Sequence, residues 1–452
     1  MKTLLLFIIS IPLYSQLPNH NMRLIANRNE HYVNNYSAIW GYSAPNDREY
    51  AILGCSEGTA FYDITDTNNI YESGFIQGLS SLWREFKTFG HYAYIVSEAG
   101  GSGLQIVDLQ YLPDSVSLVN TVTFAGYSRT HTISQSGPYL YLNGADYNNA
   151  GIFIFDLSQD PVHPLKRGNW YENYIHDCRV VNDTIWAAAI FNGHIYVIDA
   201  VNKDSLRTIT SWVNLPDPGP HNTAITGDRK FLLVTDEIGS IPRLLKTWNV
   251  QNVFNPQLVA SWQPSDIDSS IVHNVEIYGN YALVAHYTAG VRLIDISNPA
   301  IPVEVAWYDT YPTNNGFNYN GCWGAYLFPS GKIIASDRAT GLYVLKSSIT
   351  AIGIGSNNNN NLPSGYSLKQ NFPNPFNPVT KIEYSVPQNS YIRIKIYDLK
   401  GGIIGILSDK FEDAGVHSFT YDASRLSSGV YFYTLETGDG MILLTKKMVL
   451  VK

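Results

Sequence analysis

Tyr281-ALVAHYTAGVRLID-Ile296 is an apolar strand, a glycine-bearing turn and a second apolar strand that closes on an aspartate. The same phrase starts again at Tyr50, Tyr92, Tyr139, Thr184, Lys230 and Lys332, giving seven copies between residues 22 and 346. Successive starts lie 42 to 51 residues apart. A period near 45 with several short strands per unit is the signature of a β-propeller. The fold expected is all-β, with seven blades.

Each copy is preceded by one further strand-like run, such as Tyr174-IHDCRV-Val181, and most are followed by another, such as Pro256-QLVASW-Gln263. That makes four antiparallel strands per blade. The seventh copy lacks its outer strand, and the segment 21–27 carries the missing pattern. Residues 17–348 therefore read as a propeller whose ring is closed by an N-terminal strand, which removes edges that would otherwise seed aggregation. An Asn-rich linker at 349–362 follows. In 363–452 the period is gone, and short strands at 380–386, 391–398, 416–422, 429–436 and 441–451 suggest a small immunoglobulin-like β-sandwich.

The chain has 452 residues, is 13% aromatic and only 15% charged, and carries 35 Gly and 22 Pro, a balance that fits many strands joined by tight turns. A formal charge of −8 offers no basic stripe, so nucleic acid is not an expected partner. Lys2 followed by an apolar run to Leu13 and small or polar residues near Ser15 reads as a secretory signal peptide, residues 1–16. No other stretch is apolar enough to span a bilayer as a helix. Cys55, Cys178 and Cys322 lie in different repeats and read as buried thiols, with a Cys55–Cys322 bridge left open by the adjacency of blades one and seven.

Stepping back eight to ten residues from each copy reaches the start of the innermost strand, on the face that also carries the turn inside the phrase. The residues aligned there are Trp40, Arg84, His131, His176, His221, His273 and Trp323. Four of the 11 histidines thus fall at equivalent positions in blades three to six. Glu85, Asp177, Asn222 and Asn274 follow directly in four of the blades, and the turns on that face add Glu57, Glu98, Asp146, Asp236, Glu237, His286 and Asp337. Imidazoles converging from neighbouring strands can hold a ligand or a divalent transition metal, with Glu85, Glu98, Asp177, Asn222, Asp236, Asn274 and Asp337 as polar groups behind the ring. Repeats also inherit structural residues, so each His equally reads as a brace to the next blade. Asp63, Asp108, Asp156, Asp199 and Asp295 end the second strand of five copies, where they favour the turn. The glycines from Gly100 to Gly103 join two strands and precede no helix, so they are not a phosphate loop. His31, His163 and His417 read as ordinary surface residues.

Asn371-FPNPFNPVTKIEYSVP-Gln388, Leu426-SSGVYFYTLETGD-Gly440 and the terminal Lys446-KMVLV-Lys452 closely resemble the C-terminal sorting domain of type IX secretion cargo. The carrying residues are Asn371, Pro373, Asn374, Pro375, Asn377, Pro378, Gly429, Tyr431, Lys446 and Lys447. The resemblance implies a Gram-negative host, the type IX machinery as partner, and delivery outside the cell or onto its surface. Residues 22–346 resemble the choice-of-anchor B family of LVIVD-repeat propellers through Ser81-LWRE-Phe86, Leu104-QIVD-Leu109, Tyr174-IHD-Cys178 and Val272-HN-Val275. That family carries varied C-terminal anchors on one body, and the resemblance implies no reaction. Two functional readings and a structural one follow as expectations. One is a surface-displayed module binding a carbohydrate, peptide or protein at the His/Trp/Arg face. The other is a metal-assisted lyase or hydrolase with the four His as ligands and Asp177 or Glu98 as base. A purely structural spacer is the third.

Overall fold

The computed structural model describes residues 19–31, 35–267, 269–349, 366–386, 390–412, 415–437 and 442–452. The expected signal peptide, residues 1–16, lies outside the described residues, as does the expected linker 349–362 apart from Ile349. The strand phrase makes blades because both its faces are buried. In the strand Tyr281–His286, Leu283 and Ala285 pack with Cys322 and Leu327 of blade seven. Ala282 and Val284, one residue out of step, pack with Ala224 and Leu233 of blade five. A side-chain period of two thus feeds two neighbouring cores at once, so the strand reads as an unbroken apolar run. The turn to the next strand needs Gly290, at φ +76, because a Cβ there would lie 2.2 Å from the Tyr308 carbonyl oxygen.

Seven sheets form this way, each with four antiparallel strands from axis to rim, in sequence order in blades one to six, and blade six carries a short fifth strand at its rim. Blade one, for example, runs Tyr36–Ser43, Glu49–Cys55, Gly58–Asp63 and Tyr71–Gln77. The inner strands touch their neighbours right round the circle, Cys322–Leu327 of blade seven meeting Tyr36–Ser43 of blade one. Blade seven takes its outer strand from the N-terminus: Met22–Arg28 pairs antiparallel with Gly341–Ser347. Just before it, Asn19–His20 pairs with Trp307 and Tyr308 on the outer edge of blade six, a contact with no sequence signal. The N-terminal segment therefore stitches two blades. Among the described residues the only helical element is the short 3-10 turn Asn148–Ala150, and no helix is long and apolar enough to cross a membrane. All three cysteines are buried and free, so the Cys55–Cys322 bridge is not formed.

The C-terminal region is a sandwich of a three-stranded sheet, Ser367–Leu368, Val379–Val386 and Gly415–Asp422, and a four-stranded one. The latter runs Ile403–Glu412, Ser390–Tyr397, Gly429–Thr437 and Ile442–Leu450 in spatial order. Ile382, Tyr384, Ile394, Tyr433, Leu435 and Met448 fill the space between. The strand Ile403–Glu412 went unread in the sequence. It sits at a sheet edge, and two register shifts against Ser390–Tyr397 break its alternation. The Asn-Pro motif braces the last two strands: Asn374 Oδ1 accepts from the Val449 amide at 2.8 Å, and the Asn371 amide donates to Tyr433 Oη at 2.8 Å.

Candidate functional site

Blades three to six each place one imidazole at the axial end of the inner strand, and adjacent blades bring these rings into a row. Ring centroids are 4.2 Å apart for His131–His176, 4.0 Å for His176–His221 and 4.3 Å for His221–His273. Trp323 of blade seven ends the row at 5.0 Å from His273, and Tyr287 covers His273 at 4.6 Å. Gly144 makes room for His131, since a Cβ there would come within 2.8 Å of the His131 Cβ.

The polar partners differ along the row. His131 Nδ1 faces Glu98 Oε1 at 2.6 Å, and its Nε2 faces His176 Nε2 at 2.7 Å. His273 Nδ1 donates to the Trp323 carbonyl. Glu237 lies under the middle of the row, 3.4 Å from His221 Nε2 and 3.8 Å from His273 Nε2, and accepts from Tyr287 Oη at 2.7 Å. Nδ1 of His176 and of His221 are buried with no hydrogen-bond partner. Burial, then the neighbouring imidazoles, hold His176 and His221 well below the usual imidazole range, and burial pushes His273 down to about 3. The hydrogen bond to His131 lowers the Glu98 carboxyl, whereas burial raises that of Glu237.

One level further into the channel, Asp177 accepts from Asn222 Nδ2, the Cys178 amide and Ser134 Oγ. Burial pushes Asp177 up, and Glu85, 3.7 Å from Lys87, up to about 7. Deeper still, Arg179 Nη2 donates to Glu276 Oε1 at 2.7 Å. The free space among these groups is about 40 Å3, room for a few waters rather than an organic ligand. The axial channel is a stack of polar tiers, and the imidazoles are its more buried part: the His221 and His273 side chains are 4% and 3% exposed, against 25% and 23% for Arg179 and Glu276.

Four residues aligned from the sequence sit elsewhere. Trp40 lies in the deeper tier, its indole donating to Thr88 Oγ1 at 3.3 Å with Lys87 Nζ 3.8 Å above its ring. A register shift between Tyr36 and Ile39 moves blade one, so its place in the row falls near Ser37. Arg84 turns away from the axis into the seam between blades one and two, where Nε donates to the Cys55 carbonyl at 3.2 Å and Nη2 to that of Leu79 at 2.6 Å. Asp236 is a buried ion-pair partner of Lys246 at 2.7 Å, and Asp337 binds Thr310 Oγ1 and the Ala339 and Thr340 amides of its own turn. Asn274 Nδ2 donates to the Trp323 carbonyl at 3.3 Å and braces the row from below. Nor is His31 a plain surface residue: it stacks on Phe75 and meets Glu72 at 2.7 Å.

Around the mouth stands a collar that the sequence alignment missed. Trp83 precedes the inner strand of blade two and meets Trp323 edge-on at 6.4 Å. The loop entering blade seven carries Phe317 and Tyr319, and Tyr319 leans on Tyr287 at 5.4 Å. Arg338 stacks over Trp323 at 5.2 Å, and Arg243 over Phe317 at 4.6 Å. Arg243 also walls a cavity of about 420 Å3 in blade five, with Asp217, Ser240 and Pro242. Among the described residues neither arginine has a carboxylate within ion-pair distance, and the Nε of each is buried without a partner.

Fold and tail define the class: a β-propeller carrying a sorting domain for export. Residues 370–452 match the secretion system C-terminal sorting domain, and residues 271–310 match the LVIVD repeat. The tail marks cargo of the type IX machinery, secreted or displayed on the surface of a Gram-negative cell. No curated protein sequence matches the chain. Similar solved structures include a protein from Lactobacillus plantarum, 11% identical over 81% of this chain and 96% of that one, with a TM-score of 0.51. The WD40 β-propeller domain of Doa1 is 10% identical over 73% and 98%, also at 0.51. PorZ, a surface component of the type IX secretion system of Porphyromonas gingivalis, is 11% identical at a TM-score of 0.45. The match covers 90% of this chain but spans only 58% of PorZ. At such identities the likeness is one of fold.

Proposed function

We propose that the propeller is a surface-delivered binding module for an anionic carbohydrate, seated in the aromatic and arginine collar above the imidazole row. The observation that carries this reading is the pair Arg243 and Arg338. Each guanidinium is stacked on an aromatic ring, is held at the mouth, and keeps a buried Nε with no acceptor. Tyr319 fixes both side chains, its hydroxyl accepting from Arg243 Nη1 at 3.0 Å and its carbonyl from Arg338 Nη1 at 2.9 Å, and a guanidinium fork suits carboxylate or sulfate oxygens. The exposed faces of Trp83 (36% exposed) and Phe317 (48% exposed) supply flat apolar platforms for the C–H faces of sugar rings. The blade-five cavity is large enough for a sugar unit beside Arg243.

The test is isothermal titration of the full mature chain with an oligogalacturonate, a sulfated glycosaminoglycan fragment, a neutral glucan oligomer and an acidic peptide. The expected result is binding of an acidic oligosaccharide that weakens with added salt, drops at least 10-fold in Trp83→Ala, and disappears in Arg243→Met with Arg338→Met. Preference for the acidic peptide, or equal binding of the neutral glucan, would refute the carbohydrate reading. Unchanged affinity in the double arginine variant would refute the site.

A further inference from the structure

Beneath the collar the imidazole row holds a second, chemically distinct arrangement. One nitrogen each of His176 and His221 and a carboxylate oxygen of Glu237 lie within 4.8 Å of one another. Tetrahedral coordination at about 2.0–2.1 Å places ligand atoms about 3.3 Å apart, so rotations of about 1 Å bring these three onto one centre. Both imidazoles are at least nine-tenths buried, His176 7% and His221 3% exposed, and each keeps an Nδ1 without a hydrogen-bond partner. Two imidazoles with a dangling polar atom in a buried row are an expensive arrangement for a mere brace.

The flanking groups are already disposed as a metal site needs. A carbonyl only accepts, so His273 Nδ1, which faces the Trp323 carbonyl, carries the proton, and its lone pair points from Nε2 toward Glu237. Likewise Glu98 Oε1 holds His131 by its Nδ1, and His131 Nε2 faces His176. Metal-bound histidines are oriented in this way, by a carboxylate or backbone carbonyl on the far nitrogen. Tyr287 holds Glu237 from behind by its hydroxyl.

We infer that His176, His221 and Glu237 form a site for one divalent transition metal ion, with His131 and His273 poised beside it. Two imidazoles and one carboxylate suit Zn, Fe(II) or Co(II) and leave at least one coordination position open toward the mouth. The ion takes the lone pair of each ring and the charge of Glu237, and no arginine of the collar is a ligand. An ion at this depth adds positive charge below the two guanidinium groups.

The experiment uses the full mature chain, stripped with a chelator and titrated with Zn2+ alone and with Co2+ alone. Calorimetry should give one ion per chain, and bound Co2+ should show the intense visible bands of a low-coordinate site. His176→Ala, His221→Ala and the isosteric Glu237→Gln should each weaken binding at least 100-fold. Exposed His163→Ala should leave it unchanged, and Arg243→Met with Arg338→Met, which removes two nearby positive charges, should not weaken it, which separates this site from the collar. Thermal melting without metal identifies any variant that fails to fold, and Glu237→Gln, which keeps its shape, then decides. Zn2+ should also raise the melting temperature of the parent chain and not that of Glu237→Gln. No stoichiometric binding by the parent chain, or undiminished binding by both His221→Ala and Glu237→Gln, overturns the inference.

Discussion

Deleting residues 19–28 tests the seam of the ring. Met22–Arg28 and Gly341–Ser347 make six register pairs. An antiparallel ladder averages about one backbone hydrogen bond per pair, each worth about 1 kcal/mol net, so the ladder contributes about 6 kcal/mol. Met22 is 2% exposed, and its burial adds about 2 kcal/mol. Asn27 Nδ2 further donates to the Thr340 and Leu342 carbonyls at 2.9 and 3.0 Å. The sum, about 8 kcal/mol, is comparable with the whole stability of an ordinary domain. The deletion should therefore unfold the propeller in part or drive it to aggregate through the bared edge of Gly341–Ser347. Met22→Ala should cost only about 2–3 kcal/mol. Urea unfolding followed by tryptophan fluorescence reads both. A deletion variant with the midpoint of the mature chain would show that the seam contributes nothing, and the reasoning would fail.

Lys246→Met should cost about 3–5 kcal/mol at pH 7.5 by stranding Asp236, a buried carboxyl that burial has already pushed up to about 6. Because that folded value exceeds the unfolded one, the loss should shrink as the pH falls through 6, and a pH-independent loss in denaturant titrations would contradict the ion-pair account. His286 has the opposite sign: burial holds it at about 3, so the unfolded chain takes up its proton first as the pH falls below about 6.5. Between pH 7.5 and 5 this residue alone removes about 2 kcal/mol of stability. His286→Phe should show a drop smaller by that amount, and an identical drop would refute it. A chain ending at Ile349 should unfold at the midpoint of the full propeller yet fail to reach the surface of a type IX-competent host. Surface delivery of that chain would remove the sorting role from the tail.

The blades were legible because a strand buried on both faces must be apolar throughout, as Ala282, Leu283 and Val284 are, and because the phrase repeats. The seam was legible as a shortage of one outer strand in blade seven. The strand Ile403–Glu412 was not, since at a bulged edge neither alternation nor burial constrains the sequence. At the site, four histidines at one repeat position were visible in the spacing. Trp40 was misplaced because a register shift after Tyr36 slides blade one against the count. Asp236 and Glu237 were both legible on this face, but the place behind the ring went to Asp236, because consecutive residues at a strand end point to opposite sides and spacing alone does not say which side faces the axis. Arg243, Arg338 and Tyr319 lie in irregular turns, where no period exists to align them.

The seam also sets an order of events. The strand Met22–Arg28 is made near the start of the chain and its partner Gly341–Ser347 near the end of the propeller. Until that partner exists, the first strand has nothing to zip against, and the disc stays an open arc with an unpaired rim. The sorting domain begins only after the partner strand is complete. Every molecule bearing the tail therefore already contains all seven blades, whereas a chain stopped early has neither a closed disc nor an address. Placing the export signal after the seam makes synthesis itself a proofreading step: incomplete discs are never labelled for the surface.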